Sequence, residues 1–217
     1  MSDTKQRLLD GTLTALREHG IAGISARTIA AAAGVNQALV FYHFGTVDEL
    51  LGAACRAGTA QRVARYAQRF TEVGSLRELL AVGQALHVAE RELGNVSVLA
   101  QLLAGAQSEP RLAAPTAEAL QLWVDEIEPV LVRLLAGSPL AEVADIPGLA
   151  RAVAAGFVGL ELYEGVDAVG ATRAVGALEQ LAVLVEAVDD LGPVARRAVR
   201  ARISRTARRS GPGRPVR

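Results

Sequence analysis

Few side chains in this sequence can do chemistry. Cys55 is the only cysteine, and His19, His43 and His87 are the only histidines. None of these falls in an HExxH pair or a paired Cys/His spacing, so no metal site and no disulfide framework is expected. There is no GxxxxGK[ST] loop, no GxGxxG after a strand and no GxSxG elbow, so neither an enzyme nor a bound cofactor is assigned. Cys55 shares an apolar face with Leu51, which predicts a buried structural thiol. The remaining chemistry is hydrogen bonding. Asn36 and Gln37 stand side by side, followed by small Ala38 and, one turn on, by Tyr42 and His43. Adjacent amides can make bidentate contacts to a base edge, and a small neighbour permits close approach or contact with a thymine methyl.

Such a group works only if a rigid element presents it. Ser25 is a good N-cap for a short helix over 26–33, and Gly34 suits the left-handed residue that closes it. Asn36 can cap a third short helix running to about His43. Val35 and Val40 would turn inward over Ile29 and Ala33. The amides then lie at the outward N-terminal end of the second helix of a helix-turn-helix. A first helix over Thr4–His19 carries Leu9, Thr12, Leu13 and Leu16 at helical spacing and stops at Gly20.

The rest also reads as helices. Thr46 and Glu49 form a capping box that opens a helix to about Phe70, and Ser75 and Glu78 form a second, opening a helix to about Leu93. Asn95 is read as the cap of a helix to about Ala106. Pro110 and Pro115 bracket a loop, with Pro115 opening a long helix to Ala136. Further helices are expected from Pro147 to Glu164, over Thr172–Leu191, and from Pro193 to about Arg209. With aromatics at 4% and no convincing strand, the fold class is all-α, with nine or ten helices.

Charge divides the chain. The net charge is zero, yet nine arginines and no acid lie in residues 196–217. Residues 71–195 hold six basic and 18 acidic side chains, and residues 1–56 hold five of each. The expected organisation is a helix-turn-helix domain at 1–50, a larger helical bundle at 51–209 and a basic disordered tail at 210–217. The N-terminus has no apolar core, and the longest uncharged run, 28–47, is too polar to span a membrane. A cytoplasmic protein is expected.

The stretch Gly34-Val-Asn-Gln-Ala-Leu-Val-Phe-Tyr-His-Phe44, followed by Gly-Thr-Val-Asp-Glu-Leu50, resembles the signature of the TetR family of bacterial transcriptional regulators. Ser25-Ala-Arg-Thr-Ile-Ala30 and the first helix, ending Leu16-Arg-Glu-His-Gly20, fit the same pattern. The resemblance covers residues 4–51. It implies a homodimer that places the third helix in the major groove of double-stranded DNA at a palindromic operator. It implies a ligand-responsive repressor, the alternative being a helical effector-binding or scaffold protein whose helix-turn-helix no longer reads DNA. Carried onto this chain, Gln37, Ala38 and Leu39 face bases, with Asn36 at the helix start. Arg27 and Thr28 face the backbone or groove edge, and Tyr42 and His43 face phosphates. Two positions depart from the family. Phe41 stands where a tyrosine is usual and Val47 where a lysine is usual, so two phosphate contacts are missing, and Tyr42 or Thr46 is expected to substitute.

The second domain would hold a small-molecule effector. Candidate lining residues are His87, Gln101, Gln107, Trp123, Phe157 and Glu161, an apolar set with a few polar groups. Gly156 and Gly159, near one another on one helix, allow close approach of another helix. Together with 172–191 they match the family's dimer interface.

Overall fold

The computed structural model describes residues 3–141, 144–189 and 191–209. The elements are α1 (Asp3–His19), a 3-10 turn at Ile21–Gly23, α2 (Ala26–Ala33), α3 (Ala38–Phe44), α4 (Val47–Glu72), α5 (Leu76–Glu92), α6 (Asn95–Ser108), α7 (Pro110–Leu134), α8 (Ile146–Glu164), α9 (Ala168–Asp189) and α10 (Pro193–Arg209). Among the described residues all regular structure is helical, as the composition predicts. The tail expected at 210–217 lies outside them.

The chain packs as two compact units. The first comprises Met1–Arg69 and Gln84–Glu126, and the second Phe70–Gly83 and Ile127–Arg217. The first unit's core begins with α1, whose Leu8, Leu9, Thr12, Ala15 and Leu16 are buried at the spacing of one helical face. Leu8, Leu9 and Ala15 cluster with Ile29, Ala30 and Ala33 of α2, Val40 of α3, and Leu50 and Ala54 of α4. A neighbouring cluster joins Leu16, Leu51 and Cys55 to Val98, Leu102 and Leu112.

Gly11 is where α1 and α2 touch. A Cβ there would sit 2.7 Å from the backbone nitrogen of Ala33 and 2.8 Å from its Cα. Only glycine lets the two backbones approach this closely. The register of α4 against α7 repeats each turn. Asp48 accepts from Arg111 at 2.9 and 3.1 Å, Gly52 leaves room for the ring of Pro115, and Arg56 donates to Glu118 at 2.8 Å.

In the second unit α8 packs along α9. Asp145 caps α8, accepting from the Gly148 N–H at 3.0 Å. Both helices are apolar, and both are long and apolar enough by composition to cross a membrane, although Arg151 and Arg173 keep them outside the longest uncharged run. They are also poorly covered: Leu162 and Tyr163 of α8 are exposed, and on α9 Val169 is 73% exposed, with Leu181 and Leu184 exposed as well.

Four boundary expectations need correction. Asn36 does not cap α3 directly; its Oδ1 accepts from the Ala38 N–H at 2.8 Å, a side-chain turn that precedes the helix. Asn95 is the first residue of α6, not its cap, and its amide donates to Glu90 at 2.8 Å. No loop separates Pro110 from Pro115. Pro110 opens α7, and Pro115 lies inside it, forgoing a bond to the Arg111 carbonyl while its ring packs at Gly52. α9 starts at Ala168 rather than Thr172, because Asp167 accepts from the Gly170 N–H at 2.8 Å and supplies the cap.

Candidate nucleic-acid interface

The helix-turn-helix is built by local signals. Ser25 caps α2 through a reciprocal pair: the Thr28 N–H donates to the Ser25 hydroxyl at 3.1 Å and the Ser25 N–H to the Thr28 hydroxyl at 2.9 Å. At its other end Gly34 adopts φ +63°, ψ +38°, and its N–H reaches back to the carbonyls of Ala30 and Ala31. Sequence reading missed the partner of this turn. The Arg7 guanidinium on α1 donates to the carbonyls of Ala33 at 2.9 Å and Gly34 at 2.6 Å. It satisfies acceptors that a helix C-terminus leaves open and places a cation at the negative end of the helix dipole.

α3 then presents its faces as expected. Val40 is fully buried, and Val35, Leu39 and Phe44 pack against the same core. Gln37, Ala38 and Tyr42 project into solvent, Tyr42 with 80% of its surface exposed. The Tyr42 and His43 rings meet edge-on at 4.9 Å. Lys5 lies over the Phe44 ring at 5.9 Å, a cation–π contact that ties α1 to the end of α3.

Several of the expected contact residues have other tasks. The Thr28 hydroxyl donates to the Gly23 carbonyl at 3.0 Å and completes the α2 cap. Thr46 caps α4: the Glu49 N–H donates to its hydroxyl at 3.1 Å, and Glu49 accepts from the Thr46 N–H at 3.0 Å. Asn36 spends its carbonyl on Ala38. Leu39 and His43 are half-buried. Arg27, Gln37, Ala38 and Tyr42 are exposed.

The effector candidates fall in both units. His87, Gln101, Gln107 and Trp123 belong to the first unit, and Phe157 and Glu161 to the second. Gln101 accepts from the Ile21 N–H at 2.9 Å and donates to Ser97 at 3.4 Å, so its amide is spent on structure. Gln107 is exposed, Trp123 stands 6.4 Å from the Tyr66 ring, and Glu161 is buried. One cavity of about 310 Å³ opens beside Ile24, Phe41, Val47 and Arg111, and another of about 40 Å³ beside Cys55, Arg62, Asn95 and Thr116. None of the six candidates lines either. The smaller one borders a buried ion pair, Arg62 to Glu90 at 3.3 Å. Burial pulls the Arg62 guanidinium below its usual range, with Glu90 opposing. Burial also pushes the Cys55 thiol up to about 11, against the pull of Arg62 and Arg56. Among the described residues no group of three His, Cys, Asp or Glu is placed to hold a metal ion.

Comparison with known proteins agrees with this geometry. The family described as bacterial regulatory proteins, tetR family, matches residues 8–54. A protein from Rhodococcus sp., described as a TetR-family transcriptional regulator, superposes with a TM-score of 0.69 at 26% identity, covering 85% of this chain and 99% of its own. The multidrug binding protein EbrR, solved with proflavin, gives 0.59 at 26% identity, covering 84% and 99%. The transcriptional regulator SCO7518 of Streptomyces coelicolor A3(2), at 24% identity, shares the fold with a TM-score of 0.65, covering 82% and 98%. No curated protein gives a match. The helix-turn-helix thus lies within the segment 8–54 that matches the tetR family of bacterial regulatory proteins, and most of the chain is similar in fold to a TetR-family transcriptional regulator.

Proposed function

We propose that the chain is a ligand-responsive repressor that binds a palindromic operator as a homodimer in the cytoplasm. The observation that carries this reading is the exposed edge of α3, where Gln37, Ala38 and Tyr42 face outward from a helix anchored by buried Val40. Residues 1–50 are the reading head. Gln37 and Ala38 contact bases, Arg27 and Tyr42 contact the backbone, and Asn36, Thr28 and Thr46 act by holding helix ends in place. Residues 51–209 take the effector and the partner subunit.

The uncovered apolar side chains of α8 and α9 support a dimer seam there. A Cβ on Gly156 or Gly159 would meet no described atom within 4 Å, so neither glycine is required by packing within one chain. Gly159→Arg tests the seam. It is expected to give monomers in sedimentation, and a monomeric wild type at micromolar concentration would contradict the dimer. EbrR holds proflavin, which supports a small-molecule effector for this fold; the net negative 71–195 region suits a cation. An effector that favours one dimer state over another releases DNA by that difference in affinity. The reading is tested by a gel shift on the DNA upstream of the chain's own coding sequence. Gln37→Ala is expected to weaken binding and relax preference at one base pair, whereas Tyr42→Phe weakens all duplexes alike.

A further inference from the structure

The first 56 residues contain only five cations, Lys5, Arg7, Arg17, Arg27 and Arg56. The structure engages four of them internally. Lys5 lies over Phe44, Arg7 holds the α2 carbonyls, Arg17 donates to Asn95 at 3.1 Å and Arg56 to Glu118. Arg27 alone is exposed with no partner among the described residues. A dimer whose helix-turn-helix units offer one uncommitted cation each neutralises about two phosphates, a log-affinity against log-salt slope of only about −2.

The opposite balance holds at α10. The helix has seven arginines from Arg196 to Arg209 and no acid anywhere along it. Arg197 and Arg205 are exposed, two turns apart on one face, and have no partner among the described residues. Arginines recur at i+3 and i+4 throughout, and like charges at those spacings destabilise a helix unless a counter-charge sits beside it. We infer that the arginine face of α10 is a second DNA contact, which grips the phosphate backbone independently of sequence while α3 reads bases. The inference rests on the operator-binding reading, but the two separate under test.

The full chain and the Arg197→Gln/Arg205→Gln variant are compared on a duplex that the full chain enriches from a randomised pool, and on a scrambled duplex, across a salt series. Glutamine keeps the helix propensity and removes the charge. The expected wild-type slope is steeper than about −2, and the variant's is shallower by up to about 3–4, with the preferred sequence unchanged. Equal slopes overturn the inference. So does a variant that melts earlier with its slope unchanged, which would mean that the arginines dock on the acidic 71–195 surface. Steep binding to both duplexes without preference would instead sink the operator reading and leave the phosphate contact standing.

Discussion

Gly11→Ala tests how the reading head is held. The added Cβ would lie 2.7 Å from the nitrogen and Cβ of Ala33, about 0.7 Å short of the 3.4 Å at which ordinary contact begins. The backbone nitrogen and Cα of Ala33 cannot rotate away, so α2 must shift relative to α1. Overpacking of this kind costs about 1–3 kcal/mol, and backbone contact puts the site at the upper end. Alanine returns about 1 kcal/mol through helix propensity. The net expectation is a loss of about 1–2 kcal/mol, or about 2–8 °C in Tm for a chain of this size. Gly83→Ala is the matched control. It is also within a helix, but its Cβ would meet Phe157 at an ordinary 3.5 Å. It is expected to be neutral or stabilising by up to about 1 kcal/mol. Melting both variants by far-UV circular dichroism decides the matter. If Gly11→Ala melts at or above Gly83→Ala, the close crossing of α1 and α2 is not what holds the domain.

Gly34→Ala forces a left-handed residue to carry a Cβ and brings it to 3.0 Å from the Arg7 guanidinium; a loss of about 1–2 kcal/mol is expected, with Gly34→Asn less costly, read by denaturant unfolding. Arg62→Ala leaves buried Glu90 without its cation and should cost about 3 kcal/mol, at the low end for a buried pair because Arg62 is partly exposed; Arg62→Met/Glu90→Leu should regain most of it in the same assay. Cys55, with its pKa raised to about 11, should label slowly with thiol reagents at pH 8, where about one thiol in a thousand is ionised. Because the folded-state value lies above the unfolded 9.0, this thiol's contribution to stability is complete below pH 9 and is lost as pH rises through about 11, readable as a falling Tm.

The reading head was largely visible in the sequence because its signals are local. Ser25, Gly34 and the Thr46–Glu49 box each specify a helix end within four residues, and the structure places those ends accordingly. The missed boundaries share a cause. Asn95, Pro115 and Asp167 are residue types that serve in several places, and packing decides among them. Thr28 and Thr46 show the same ambiguity within the site, since one hydroxyl suits a helix cap or a phosphate and here the cap claims it. Arg7 and the Asp48–Arg111 pair could not be read in advance, because their partners lie 26 and 63 residues away. The effector candidates rest on residue type alone, and type does not say which side chains converge on one cavity.

In the proposed function, the exposed end of α3 reads a duplex through Gln37. The most direct measurement is the binding of wild type and Gln37→Ala to a duplex enriched from a randomised pool and to its single-base variants. The expected result is an enriched site of two half-sites about one helical turn apart, roughly 34–36 Å. Gln37→Ala is expected to lose about 1–3 kcal/mol there and to relax preference at one base pair per half-site. No enriched sequence, or a Gln37→Ala variant equal to wild type in affinity and preference, would contradict it.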